Sequence, residues 1–243
     1  MRRITIKGAR VIACGVLSAL IIGFTALSVF NAKAVSLTSG KSYAPYYHGD
    51  RSKAQVALMI NVYENADVVN AMLDMLVERG AKATFFVGGC WADDNAETVR
   101  RIVETGMEIG NHGYFHKDHK KLSAEANERE ISTNHALVKS LTGVEMDLFA
   151  PPSGSFSETT LQIAEKLGYK SIMWSKDTID WRDEDEDLIF RRATEGLENG
   201  DMILMHPKKH TLAVLGRILD HYKEKNVETV TVSQIIAADG KNI

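Results

Sequence analysis

Two histidines four residues apart, His112 and His116, stand in the stretch Gly110-Asn111-His112-Gly113-Tyr114-Phe115-His116. Imidazole is a common metal ligand, and two on one turn can grip a single ion such as zinc. Surface pairs at this spacing are frequent, so the pair alone is a weak signal. Its weight comes from residues further along. Asp177, Asp180 and Trp181 follow one apolar run, and His206 follows another, Ile203-Leu204-Met205. A histidine so placed suits a general acid, and a carboxylate beside it, such as Asp180, would hold its proton and raise its pKa. Each also has a plain structural explanation, as a hydrogen-bonded core histidine or a loop or capping aspartate.

Elements of alternating type must carry these residues. Residues 55–60 read as a buried strand, and 66–78 show helical spacing (Val68, Val69, Met72, Leu73, Leu76) that stops at Gly80. Further strands are expected at 83–87, 108–111, 147–150, 171–174, 202–205 and 228–232. Further helices are expected at 96–104, 123–141, 158–167, 186–197 and 212–223. Ser123 is the cap of the long helix and Gly143 its stop. Such alternation with short turns predicts a parallel sheet with helices outside, and its repeat number favours a deformed or incomplete (β/α) barrel over a doubly wound sheet. In such barrels sites form at the carboxyl ends of the strands, where the chemistry-bearing residues collect.

The chain has 243 residues, 44% hydrophobic and 25% charged, with a net charge of −3. That is enough for one domain with a full core, and the near-neutral balance gives no reason to expect nucleic acid as partner. Residues 1–34 read as a basic cytoplasmic stub followed by a membrane segment. Arg2, Arg3, Lys7 and Arg10 precede an uncharged run, residues 11–30, long enough to cross a bilayer. Ala32-Lys33-Ala34 offers a cleavage site, so an uncleaved anchor and a signal peptide are both open. Either sends the remainder outside the cytoplasm. Residues 35–53 read as a linker and 54–243 as the folded domain. Cys14 lies in the apolar segment, so Cys90 has no partner for an internal disulfide and reads as a half-buried thiol.

Five pieces carry a resemblance: Lys82-Ala83-Thr84-Phe85-Phe86-Val87-Gly88, Glu108 to His116, Phe149-Ala150-Pro151-Pro152-Ser153-Gly154, Trp174 to Trp181, and Ile203-Leu204-Met205-His206. From about Val56 to Ile236 the chain resembles the polysaccharide deacetylase family (NodB homology domain, carbohydrate esterase family 4). The resemblance implies a deformed (β/α) barrel that removes N-acetyl groups from sugars, or O-acetyl groups in some branches. It implies a divalent metal, zinc foremost, held by one aspartate and two histidines, here His112 and His116. A second aspartate serves as base. His206 takes the leaving-group acid role, Asp180 tunes it, and Trp181 walls the acetyl pocket, with Pro151 and Pro152 on the substrate side.

The chain departs from that pattern at the first motif. Where the family writes Thr-Phe-Asp-Asp, this chain has Met59-Ile60-Asn61-Val62. Asn61 stands at the base position and Val62 at the metal-ligand position, and the arginine that orients the base is Ala150. Losing an oriented general base costs on the order of 10² to 10⁴ in rate, and losing an anionic ligand weakens the metal. Glu64 and Asp67 are the candidate replacement acids; both also read as solvated charges. The expected function is an exported deacetylase of cell-wall amino-sugar polymers, peptidoglycan or chitin-like oligomers, working by metal-assisted hydrolysis through a rebuilt site. The alternative is an inactive pseudoenzyme that binds wall glycan, and a third reading is a structural protein. Lys208, Lys209 and His210 could meet an acidic wall polymer.

Overall fold

The computed structural model describes residues 43–237. Within them eight strands and eight α-helices alternate. They are β1 (Gln55–Val62), α1 (Ala66–Glu78), β2 (Thr84–Val87), α2 (Gly89–Asp94), α3 (Ala96–Glu104), β3 (Glu108–Asn111), α4 (Ala124–Thr142) and β4 (Leu148–Phe149). There follow α5 (Glu158–Lys166), β5 (Lys170–Ser171), β6 (Lys176–Asp177), α6 (Glu186–Thr194), β7 (Met202–Met205), α7 (Lys209–Glu224), β8 (Glu228–Val230) and α8 (Val232–Ala237). The sheet order is β5-β4-β3-β2-β1-β7-β6, with β8 joined to the start of β1, and all pairs are parallel. β5 and β6 are neighbours in the chain yet lie at opposite ends of the sheet. The barrel is therefore incomplete, open between them.

Side chains alternate across a strand, and here the two rows build two cores. Val56, Leu58, Ile60 and Val62 face the helices, where they join Val69, Met72, Leu73 and Leu76 of α1 and the apolar faces of α4 and α7. Ala57, Met59, Phe86, Leu148, Ala150, Ile172 and Met202 face the barrel interior. A strand buried on both faces reads as a continuous apolar run, which is why residues 55–60 show no alternation in sequence. Gly110 admits the Phe86 ring, since a Cβ there would stand 2.6 Å from it. α8 sends Val232, Ile235 and Ile236 into the interior cluster, and Val232 N donates to Thr84 Oγ1 at the start of β2. One end of the barrel is thus filled by α8.

The boundaries differ from expectation in places with physical causes. The strand expected at 171–174 ends at Ser171, and a second short strand begins only at Lys176, because Met173 N turns to Tyr46 O and Ser175 N to Met202 O as the chain crosses the open side. α2 and α8, only six residues each, carry too little periodicity to be expected. The helix expected from 212 begins at Lys209, and the one expected to run to 197 ends at Thr194. The last strand ends at Val230. The membrane segment expected at 11–30 lies outside the described residues; among those described, no helix is long and apolar enough to cross a membrane.

The described part of the segment expected to be a linker is hydrogen-bonded into the fold. Tyr46 N donates to Ser171 O, Gly49 N to Gly200 O and Asp50 N to Ile235 O, so Tyr46 covers the free edge of β5 and the residues after it dock before β7 and on α8. A Cβ on Gly49 would lie 2.5 Å from Ile235 O. Gly49→Ala is therefore expected to destabilise the protein by about 1–3 kcal/mol in urea unfolding, as overpacking does. A cost near zero would mean that the segment is not docked.

Candidate functional site

The inward rows of the strands, continued past the interior core, make the site. Asn61 follows Met59 on β1, His112 follows Gly110 on β3, and His206 follows Leu204 on β7, each two residues on. All three line a cavity of about 520 Å³ with Tyr63, Glu64, His116, Ser153, Trp174, Asp177, Trp181 and Lys208. The cavity lies at the carboxyl ends of the strands, the end opposite α8.

His112 is buried, and its Nδ1–H donates to Ala150 O at 2.8 Å. A carbonyl only accepts, so this bond fixes the tautomer and leaves a lone pair on Nε2. Burial, joined by the neighbouring His116, pushes the His112 pKa down to about 3. The His116 ring lies 5.2 Å from it, edge to face, and burial also lowers its pKa. Both imidazoles are neutral at neutral pH. The loop that carries His116 hangs on Glu130 of α4. Its buried Oε2 accepts from Tyr114 N (3.0 Å) and Phe115 N (2.7 Å), while Lys117 lies 3.5 Å from Oε1.

On the other wall, His206 Nδ1–H donates to Asp180 Oδ1 at 2.7 Å, and Asp180 Oδ2 accepts from His206 N and Thr211 Oγ1, both at 2.7 Å. Burial alone would raise the Asp180 pKa. The His206 ring, its charge, Thr211 and the His206 amide outweigh burial and hold the carboxyl below its usual range. Asp180 is thus an anchored anion that orients His206. Beside it, Trp181 is 56% exposed at the cavity wall. Ile179, a β-branched residue at φ 54°, makes the turn before Asp180, with its N–H held by Asp177 Oδ1 at 2.7 Å.

The remaining expected residues divide. Asn61 lines the cavity, only 5% exposed, and its Oδ1 has no hydrogen-bond partner. Val62, one step out of phase, faces the helix-side core and is fully buried there. The next inward position belongs to Tyr63, whose ring lies 5.0 Å from that of His116. Gly88 makes room for it, because a Cβ there would fall 2.1 Å from the Tyr63 ring, and Gly89 does the same for Tyr114, at 2.2 Å. Burial, with a hydrogen bond to Cys90, raises the Tyr63 pKa. Glu64 reaches the cavity but is ion-paired with Lys208, and Asn65 Nδ2 ties the same turn to Pro207 O at 3.0 Å. Asp67 is exposed in the first turn of α1, away from the cavity lining. Pro151 and Pro152 are buried rather than lining; Ser153 lines in their place. The Ala150 side chain belongs to the interior core, and only its carbonyl serves the site. Of the three basic residues 208–210, Lys208 holds Glu64 and His210 Nε2 donates to Asp180 O. Sequence reasoning missed Tyr63, Ser153 and Trp174; counting in twos from Met59 would have found Tyr63.

Residues 48–172, just over half of the chain, match the family model for polysaccharide deacetylase. The chain belongs to the polysaccharide deacetylase family. It is 34% identical over 192 residues to the uncharacterized protein YlxY of Bacillus subtilis, covering 79% of this chain and 60% of that one. The match thus spans less than two thirds of that relative's length. It is 29% identical over 197 residues to a peptidoglycan-N-acetylglucosamine deacetylase of Bacillus cereus, covering 79% of this chain and 72% of that one. Its fold superposes with TM-score 0.78, at 32% identity, on BA3943 of Bacillus anthracis, described as a pseudoenzyme of this family; the match covers 80% of this chain and 69% of BA3943.

Deacetylases of this family are generally metal-dependent, and here the donor set does not fit. Val62 has no lone pair and faces away, Glu64 is held by Lys208, and Asn61 brings no charge. Among the described residues no three His, Cys, Asp or Glu side chains gather as an ion requires. Two neutral imidazoles supply no charge to offset that of a divalent ion.

Glu130→Ala leaves two loop amides without acceptors and should cost about 2–6 kcal/mol at about 1–3 kcal/mol per orphaned group, read by urea unfolding; a neutral result would contradict the anchoring role. His119, in a short turn after the His116 loop, is fully buried, with its Nδ1–H donating to Asn127 Oδ1 at 2.7 Å; burial holds the folded pKa values of His112 and His119 below the unfolded value. As pH falls below about 6.5 the unfolded chain takes up protons that these buried rings refuse, so stability should drop from about pH 7 to pH 5. His112→Asn should make that slope shallower.

Proposed function

We propose that this protein binds amino-sugar polymers of the cell wall, peptidoglycan foremost, in a polysaccharide deacetylase cavity that has lost the family's hydrolytic step. The observation that carries this is Asn61: the inward position at the end of β1, where the family places its base, holds a neutral carboxamide without a partner. A carboxamide cannot take and hold a proton at ordinary pH, so no water is activated there. The ligand-side features are kept. The His206–Asp180 pair is anchored by four hydrogen bonds counting Thr211 and His210, and Trp181 presents an open aromatic face of the kind that packs on sugar rings. The relatives that act on peptidoglycan support the choice of glycan, and the pseudoenzyme neighbour supports the loss of hydrolysis. The apolar run at residues 11–30 would hold the domain outside the cytoplasm within reach of the wall.

A second reading keeps hydrolysis, with Glu64 freed from Lys208 as the acid beside the histidines; its support is that Glu64 lines the cavity. Acetate release from N-acetylated peptidoglycan decides between the two, measured beside pull-down on the same polymer. Binding without acetate is expected, along with less than stoichiometric zinc at micromolar concentration. Acetate release that disappears in both Glu64→Gln and His206→Ala would replace this proposal with the second reading.

A further inference from the structure

A run of hydrogen bonds leads from the surface of α4 to the end of β3. Glu145, exposed before β4, lies 2.7 Å from Nε2 of His135 on α4. His135 Nδ1 meets the Tyr169 hydroxyl, and that hydroxyl lies 3.1 Å from Nδ2 of the fully buried Asn111. Asn111 Nδ2 also donates to Ile131 O at 2.9 Å, while its Oδ1 accepts from Gly113 N and Asn134 Nδ2, both at 2.9 Å. The Gly113 bond closes the turn, at φ 71°, between His112 and the loop that carries His116. Glu145, His135 and Tyr169 all stand outside the cavity lining.

The direction of each bond follows from the chemistry of its groups. Lys139, which pairs with Glu145, and His135 itself hold the Glu145 carboxyl below its usual range, so it is ionised and only accepts. His135 Nε2 must therefore carry the hydrogen, which makes Nδ1 of the neutral ring an acceptor. Burial pushes the Tyr169 pKa up to about 12, so its hydroxyl keeps a proton to donate there. The Tyr169 oxygen then accepts from Asn111, and every group in the run is paired. A proton added at Nδ1 reverses the bond to Tyr169. The ring now donates, the hydroxyl hydrogen loses its acceptor, and the other polar atom bonded there, Asn111 Nδ2, is also a donor. A charged donor outcompetes a neutral amide, so Asn111 is the group displaced. Of the other charged groups along this run, Lys139 is held by Glu145, and Asp147, which acts on Tyr169, is paired with Lys170 at 2.7 Å.

We propose that His135 and Tyr169 are positioning residues that act on the turn between His112 and His116 through Asn111, and that a proton taken up by His135 releases that turn. The coupling lies within the protein and holds whatever ligand the cavity takes. Its effect on a bound polymer rests on the glycan-binding reading above.

The test is nuclear magnetic resonance of the full chain with isotope-labelled glycine and asparagine, from pH 8 to pH 5, where imidazole side chains change charge. The Gly113 amide and the Asn111 side-chain amide should shift together in one step, matched by the His135 ring protons. Tyr169→Phe removes one hydroxyl and should abolish the step at Gly113 and Asn111 while His135 still titrates. His135→Gln should abolish it altogether, and a thermal melt of each variant checks folding. Calorimetric binding of soluble peptidoglycan fragments should weaken about fivefold across the same step, as for one lost hydrogen bond, and lose that step in Tyr169→Phe. Resonances that stay still overturn the relay, and so does a step that survives either variant, which would come from His116 or His119. Moving resonances with unchanged affinity overturn its effect on binding. Absence of binding at every pH overturns the glycan-binding reading and leaves the relay, read by the resonances, standing.

Discussion

Side chains on a strand alternate between two faces, and in this protein that alternation decides what is core and what is site. Along β1 the outward row packs on the helices, and the inward row goes from Ala57 and Met59 to Asn61. The same step of two carries β3 from Gly110 to His112 and β7 from Leu204 to His206. With one end of the barrel filled by α8, apolar inward residues serve that end and polar ones the other. A one-residue slip of β1 would bury Asn61 among the helices and put Val62 over the histidines, so packing and site share one register.

Holding this end in shape needs backbone that the fold alone would not choose. Four of the five non-glycine residues with positive φ among those described are Asn65, His116, Ser153 and Ile179, in loops around the cavity. Each such conformation costs on the order of 1–3 kcal/mol and persists only where its surroundings fix it. Here the fixing bonds are visible: Asn65 Nδ2 to Pro207 O, Glu130 to the amides before His116, and Asp177 to Ile179 N. The hydrogen bonds that stabilise the loops are thus the ones that aim the rings.

Within that shell the chemistry has been remodelled toward neutrality. Carboxylates near the cavity are committed, Asp180 to His206 and Thr211, Glu64 to Lys208. The groups at the floor are an amide, two uncharged imidazoles and a phenol. Tyr63 fills space beside His116, and Gly88 and Gly89 are shaped to admit it and Tyr114, so the change involves a set of fitted residues rather than one lost carboxylate. The floor thus offers neutral hydrogen-bonding groups, with a carboxamide rather than a carboxylate at the inward end of β1.

The fold was legible because strand and helix periods differ and β1 is apolar on both faces; the motif residues His112, His116, Asp180 and His206 were legible because their types and order are specific. That Asn61 and Val62 stand where the family's first motif has two aspartates was likewise legible. The sequence could not show that Val62 faces the helices, that Glu64 is bound by Lys208, that Pro151 and Pro152 are buried, or that Tyr46 docks beside β5 and Gly49 on Gly200. Those facts depend on contacts between residues more than a hundred positions apart, such as 64 with 208 and 49 with 200. Local pattern carries the type of each element, but only closure of the sheet decides which side chains meet.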